Sequence, residues 1–166
     1  VNQGLGYAAH VDYAGDGVTE FNDCELITQR GSAIGAGSHQ NQTLKINNCL
    51  LESKDLAIGT GLLYWHNNVA NGVTGQRLEV INCDIRSFED QALRIDDANM
   101  INGGTGNEAK VMFIGNSFYS KVYGVGNNNC DFRPFAPTLE GMLVGNSIKL
   151  DPRSFGNNIP RINAFV

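Results

Sequence analysis

One eight-residue pattern of apolar and polar positions occurs five times along the chain. In each copy the first and sixth positions are apolar, the third is Asp, Asn or Gly, and the fourth is Cys or Asn. The copies are residues 21–28 (FNDCELIT), 46–53 (INNCLLES), 80–87 (VINCDIRS), 113–120 (FIGNSFYS) and 143–150 (LVGNSIKL). Their fourth positions are separated by 25, 34, 33 and 30 residues. Repeats of this length are typical of solenoid proteins, in which successive repeats stack on one another.

The third position of the pattern explains how both apolar positions can face one core. Asp, Asn and Gly are the residues that adopt a positive φ at least cost. The first and sixth positions lie five residues apart, so a single strand, whose side chains alternate, would point them to opposite faces. A one-residue bend at the third position, between two short strands, returns both to the interior. Each repeat is therefore predicted to be a strand, a corner and a second strand.

A third short strand is predicted to follow each pair. Four segments share a pattern of small and apolar residues: 32–37 (SAIGAG), 56–61 (LAIGTG), 91–96 (QALRID) and 123–127 (YGVGN). Residues 8–12 (AAHVD) match 92–96 and are expected to be this strand in an earlier repeat. Three short strands per repeat, stacked like over like, predict an all-β parallel β-helix of about five to six coils. The whole chain, residues 1–166, is expected to be one such domain.

Over residues 7–150 this pattern resembles the right-handed, single-stranded parallel β-helix of the pectate-lyase-like superfamily. That superfamily includes pectin-degrading enzymes and many bacteriophage tailspikes. The resemblance implies a polysaccharide partner, an extracellular or virion-surface location and, for the tailspike type, a homotrimer. Polygalacturonase-like members carry Asn-Thr-Asp, Asp-Asp, Gly-His-Gly and Arg-Ile-Lys motifs, of which this chain has only the doublet Asp96-Asp97. The resemblance therefore leaves lyase, glycoside hydrolase and binding without cleavage all open.

Composition and charge narrow the choice of partner. The formal net charge is −5 and no basic run is present, so nucleic acid is not an expected partner. No apolar run approaches the ~20 residues of a membrane span, so membrane insertion is not expected. The chain begins on Val1 in mid-coil, and we expect it to be a fragment or module of a longer protein.

The cysteines are expected to be structural. Cys24, Cys49 and Cys83 all occupy the inward fourth position of the repeat, where small buried thiols can pack as apolar groups. Cys130 is expected to lie alone in a loop. No cysteine or histidine spacing typical of a zinc site is present, so no protein metal site is predicted.

Three long insertions are predicted at the same corner, after the third strand: residues 62–76, 97–109 and 127–139. A solenoid places insertions of successive repeats on one face, which is often the binding face. The first insertion contains Tyr64, Trp65 and His66, which are candidate contacts for a sugar ring, since aromatic side chains combine an apolar body with a polar tip. The alternative is an aromatic plug that pins the loop to the barrel. Arg77 is a further candidate substrate contact.

The outward side of the third strand supplies another candidate surface. His10 and Arg94 are predicted to share one outward row, with glycines such as Gly35 and Gly59 between them. These glycines form either the smooth floor of a groove that binds an extended sugar chain or a means of relieving crowding. His10 is therefore a candidate substrate contact.

Arg94, Asp96 and Asp97 are the candidate catalytic residues. A carboxylate pair beside an arginine can serve as general acid and base, or can bind Ca²⁺ beside a uronate, and no other cofactor is expected. The alternative is an ion pair with a turn-capping aspartate.

Two functions remain open on the sequence alone. The chain is either a polysaccharide-binding β-helix, with or without cleavage of its ligand as a lyase or glycoside hydrolase, or a non-catalytic structural or receptor-binding module of a phage tail or cell-surface protein.

Overall fold

A computed structural model describes residues 6–11, 16–36, 41–54, 60–64, 74–88, 92–95, 108–120, 130–132, 138–150 and 162–163. Within these segments the chain forms sixteen strands and no helix, so no described helix is long and apolar enough to cross a membrane. In chain order the strands are β1 (Ala9–Val11), β2 (Gly17–Asn22), β3 (Glu25–Thr28), β4 (Ile34–Ala36), β5 (Gln42–Asn47), β6 (Leu50–Ser53), β7 (Leu62–Tyr64), β8 (Gln76–Ile81), β9 (Asp84–Ser87), β10 (Leu93–Ile95), β11 (Glu108–Ile114), β12 (Ser117–Ser120), β13 (Cys130–Phe132), β14 (Thr138–Val144), β15 (Ser147–Leu150) and β16 (Ile162–Asn163).

The strands form three sheets in which every pairing is parallel. Sheet A has the order β1-β4-β7-β10-β13-β16, sheet B the order β14-β11-β8-β5-β2, and sheet C the order β15-β12-β9-β6-β3. The chain passes from sheet B to sheet C to sheet A and then returns to sheet B, one layer further along. The predicted all-β class, with three strands per layer and parallel pairing between layers, is confirmed.

The predicted corner is present in all five copies of the repeat. The third-position residues all have positive φ angles: Asp23 55°, Asn48 53°, Asn82 53°, Gly115 65° and Gly145 63°. Each stands between a strand of sheet B and a strand of sheet C. The bend turns the chain between the two sheets, so the apolar positions on either side of it both face inward.

The core lies between the three sheets. Val80 before the corner and Ile85 after it are both fully buried, and so are Phe113 and Phe118 in the next layer. The rings of Phe113 and Phe118 have centroids 6.1 Å apart. Burial of each large apolar side chain contributes about 1.5–3 kcal/mol, so the repeated inward positions provide the main stabilisation of the stack.

The third strand in the layer after β4 differs from the prediction. Residues 56–61 were expected to pair with the segment around Ile34, but Ile34 pairs with Leu62 of β7. Leu62 and Tyr64 alternate along β7 and are both fully buried, so this segment places two large apolar side chains in the core. That burial outweighs the similarity of small residues on which the predicted register rested.

The next prediction for sheet A was also wrong. Residues 123–127 were expected to form the strand beside β10, but β13 occupies that place and Cys130 pairs with Leu93. Cys130 is therefore in a strand and not in a loop. The order apolar, charged, apolar in Cys130–Phe132 repeats that of Leu93–Ile95, whereas 123–127 has no charged residue.

These shifts change the bounds of the long connections from sheet A to sheet B. The predicted insertions 62–76, 97–109 and 127–139 become connections of residues 65–75, 96–107 and 133–137. The third has five residues, no more than the connections 12–16 and 37–41, so the prediction of a long third insertion is wrong. All three still follow a strand of sheet A and precede a strand of sheet B, as predicted.

Candidate functional site

One outward row of sheet A contains two of the predicted site residues. The register places His10 beside Gly35, Gly35 beside Leu63, and Leu63 beside Arg94. The prediction that His10 and Arg94 share a row is confirmed. His10 and Arg94 are three layer spacings apart, a distance on the order of 14 Å at ~4.8 Å per spacing. His10 is exposed and Arg94 is half-buried.

Tyr7 covers part of this row. Its ring stacks on the imidazole of His10, with centroids 4.7 Å apart and planes inclined by 8°. A Cβ atom at position 35 would lie 2.5 Å from Tyr7 Cε1, so only glycine leaves room for the ring there. At Gly35 the structure therefore favours relief of crowding over an open groove floor. Gly59 lies outside the described residues.

The other candidates from the first two insertions are not brought together by the described structure. Tyr64 lies on β7 with its side chain fully buried, so its predicted place in an exposed loop is wrong. A buried ring in the core presents no face to a sugar. Trp65, His66, Asp96 and Asp97 lie outside the described residues.

Arg77 lies on a different face from the His10 row. It belongs to β8 in sheet B, where its side chain is 54% exposed and forms an ion pair with Glu79. It therefore does not extend the row formed by His10 and Arg94.

The outer face of sheet C carries a charged cluster that sequence reasoning missed. Arg86 donates from Nε to Asp84 Oδ2 at 2.9 Å, and its Nη2 contacts the same oxygen. Its Nη1 reaches Glu52 Oε2 in the preceding layer at 3.5 Å. Lys54 Nζ lies 3.4 Å from the other oxygen of Glu52. The hydrogen bonding that Arg86 donates to the Asp84 carboxylate is the main reason that the pKa of Arg86 is raised above its ordinary value.

A concavity of about 230 Å³ adjoins this cluster. It is lined by Asp84, Arg86, Phe88, Ser117 and Tyr119. The sequence did contain a signal for these residues. The fifth and seventh positions of the repeat point outward from sheet C, and comparing them between layers places Glu52 beside Arg86 and Arg86 beside Tyr119.

The inward fourth position of the repeat forms a continuous row of hydrogen bonds. The backbone N–H of Cys24 donates to Cys49 Sγ at 3.4 Å, and that of Cys49 donates to Cys83 Sγ at 3.5 Å. Further along, the N–H of Cys83 donates to Asn116 Oδ1 at 2.9 Å, and that of Asn116 donates to Asn146 Oδ1 at 3.0 Å. Thiol and amide therefore have the same role at this corner.

The thiols of this row are structural groups. Cys49 and Cys83 are buried, as predicted, and both are free thiols. Burial raises the pKa of the Cys83 thiol to about 11, which keeps it protonated and unreactive near neutral pH. In the described part of the chain, no three His, Cys, Asp or Glu side chains are grouped closely enough to hold a metal ion.

No protein-family model matches the chain, and no curated protein or solved structure is significantly similar to it.

Proposed function

We propose that the layers wind as a right-handed parallel β-helix of the pectate-lyase-like type, and that the outer face of sheet A binds a polysaccharide. The observation that carries this proposal is the single outward row in which the Tyr7–His10 ring pair and Arg94 are aligned across four layers. A polysaccharide lying along the stack would meet an aromatic platform at one end of the row and a guanidinium at the other.

The chemistry of the row fits this ligand. The stacked rings of Tyr7 and His10 offer a flat surface with polar edges, which suits the C–H face and hydroxyls of a sugar ring. Arg94 supplies several N–H donors in a fixed plane, an arrangement that binds carboxylates and vicinal oxygens. The two long connections, residues 65–75 and 96–107, follow β7 and β10, the strands that supply Leu63 and Arg94 to this row, and solenoids often carry their binding loops at such a corner. An extracellular or virion-surface location accords with such a ligand.

Cleavage of the polysaccharide is a further part of the proposal. Asp96 and Asp97 follow Arg94 by two and three residues. In an active enzyme one carboxylate would act as general acid or base beside Arg94, in a glycoside hydrolase or a lyase, and Ca²⁺ could bind there beside a uronate.

The test is a panel of capsular, O-antigen and pectic polysaccharides, measured for binding and for release of shorter products. His10→Ala and Arg94→Ala are expected to weaken binding of any ligand found. Lys45→Ala, which removes an ion pair with Glu20 at 3.1 Å on sheet B, is the control and should leave binding unchanged. Asp96→Asn should abolish product release without preventing binding.

Two results would contradict the proposal. Binding that survives both His10→Ala and Arg94→Ala would remove the sheet A row from the site. Full product release by Asp96→Asn would remove Asp96 from catalysis.

An exposed apolar patch on sheet B supports the alternative, a non-catalytic structural or receptor-binding module in a homotrimer. Met142 and Val144 are each 52% exposed, and Ile114 precedes Val144 in the same outward row. Light scattering would show a trimer that Met142→Asp converts to monomer. A monomeric native protein that binds no polysaccharide in the panel would exclude both functions.

A further inference from the structure

The outer face of sheet C carries a second surface suited to a ligand, apart from the His10–Arg94 row. We propose that the concavity lined by Asp84, Arg86, Phe88, Ser117 and Tyr119 binds one neutral pyranose ring. This inference goes beyond the proposed function, because it requires no binding at sheet A.

Two aromatic rings form the apolar wall of this site. Phe88 and Tyr119 have ring centroids 5.7 Å apart with planes inclined by 57°, and both side chains are partly exposed. Such rings can cover the C–H face of a sugar while the hydroxyls stay in contact with polar groups. The volume of about 230 Å³ is below the ~300–1,000 Å³ of pockets for drug-sized ligands, so the space suits a single ring.

The polar edge of the site, formed by Asp84, Arg86 and Ser117, provides both donors and acceptors. Arg86 uses three of its five N–H groups on Asp84 and Glu52, which leaves two for a ligand. All contacts of Arg86 to Asp84 use Oδ2, and within the described residues Asp84 Oδ1 accepts no hydrogen bond. Ser117 lies directly beside Asp84 in the next layer. A pair of adjacent sugar hydroxyls, each both donor and acceptor, matches this edge.

The charges at the site favour a neutral ligand over an acidic one. Arg86 lies between Asp84 and Glu52, and Glu52 also lies near Lys54, so the two cations and two carboxylates sum to zero. A uronate at this position would gain little from Arg86 and would approach two fixed carboxylates. The hydroxyls of a neutral hexose incur no such repulsion.

The test is an NMR titration of the ¹⁵N-labelled protein with malto-, cello-, manno- and galacto-oligosaccharides, and with oligogalacturonate as the acidic comparison. At least one neutral family is expected to shift the amide signals of Phe88, Ser117 and Tyr119. Oligogalacturonate is expected to leave these signals in place.

Variants assign the shifts to the site. Tyr119→Ala should weaken binding about tenfold, whereas Tyr119→Phe, which keeps the ring, should retain it. Asp84→Asn should allow oligogalacturonate to bind, because Arg86 is then opposed only by Glu52. The matched control is Glu25→Gln, since Glu25 is an exposed carboxylate in the same row as Asp84, two layers away. It should change neither the binding of neutral sugars nor the exclusion of oligogalacturonate. Circular dichroism checks that each variant folds.

The outcomes separate this site from the one on sheet A. Shifts that persist in His10→Ala and vanish in Tyr119→Ala would support the sheet C site whatever happens at sheet A. The proposal is overturned if no neutral family shifts these amides at tens of millimolar sugar. It is also overturned if the shifts survive in Tyr119→Ala, or if oligogalacturonate binds the native site more tightly than the neutral sugars.

Discussion

Replacement of Asn116 by alanine should be among the most destabilising single changes in the described core. Its side chain is 1% exposed and makes three hydrogen bonds between layers. Oδ1 accepts from the N–H of Cys83, while Nδ2 donates to the carbonyl of Val80 and to Asn146 Oδ1, each at 2.9 Å. Alanine leaves the buried N–H of Cys83 without an acceptor, which costs about 1–3 kcal/mol, and each of the other two bonds adds about 1 kcal/mol. The expected loss is about 4 kcal/mol.

Cysteine at the same position should restore much of this loss. In the preceding layer the thiol of Cys83 already accepts the N–H of Cys49 at 3.5 Å and can donate to the carbonyl of Ile46 at 3.4 Å or to that of Ile81 at 3.2 Å. Asn116→Cys would reproduce both roles and lose mainly the bond to Asn146. We therefore expect it to cost about 1–2 kcal/mol.

Urea unfolding followed by circular dichroism measures these differences. With a slope near ~2 kcal/mol per molar urea, Asn116→Ala should lower the midpoint by about 2 M and Asn116→Cys by under ~1 M. The control is Asn47→Ala, which removes an exposed hydrogen bond from the side chain of Asn47 to that of Asn22 and should cost no more than ~0.5 kcal/mol. The reasoning fails if Asn116→Ala costs no more than the control, or if alanine and cysteine at position 116 are equally destabilising.

Three further predictions concern the corners and the thiols. Gly115→Ala should lower the melting temperature more than Gly145→Ala, because both have positive φ but only at Gly115 would a Cβ lie 2.6 Å from Asn82 Oδ1; equal losses would refute this. The native protein should lose about 2 kcal/mol more than Cys83→Ser between pH 9 and 11 in urea titrations, because the folded thiol, with its pKa near 11, keeps a proton that the unfolded chain releases near 9; parallel curves would contradict it. At pH 8, iodoacetamide should label half-buried Cys24 before Cys83, as peptide mass spectrometry would show, and equal rates would exclude it.

The sequence predicted the corners and the core because both depend on short-range side-chain patterns. A residue tolerant of positive φ, placed between two apolar positions five apart, permits few backbone solutions, and Asn82 with Val80 and Ile85 illustrates this. The strands of sheet A are only two or three residues long, so their similarity contains little information. Residues 56–61 resemble 32–37 in sequence more closely than Leu62–Tyr64 does, but burial of two large side chains determines the register.

The candidate sites differ in how far sequence could locate them. The row containing His10 and Arg94 followed from one shared alternation of apolar and polar residues on two strands. The cluster around Arg86 depends on Glu52, which lies 34 residues earlier and becomes its neighbour only through stacking. Tyr64 was misplaced because an aromatic residue beside tryptophan and histidine in the sequence is typical of a loop and of a buried strand end alike.

The pairing distances along the chain have a consequence for how the protein is made. Each described strand pairs with a strand about one repeat away, as Phe21 does with Ile46 and Phe113 with Leu143, and among the described strands no sheet pairing joins the first layers directly to the last. Contact order is therefore set by the length of one repeat and not by the length of the polypeptide. The amino-terminal layers can form while the ribosome is still adding later ones. Each newly synthesised repeat can then pair with a strand edge that is already formed.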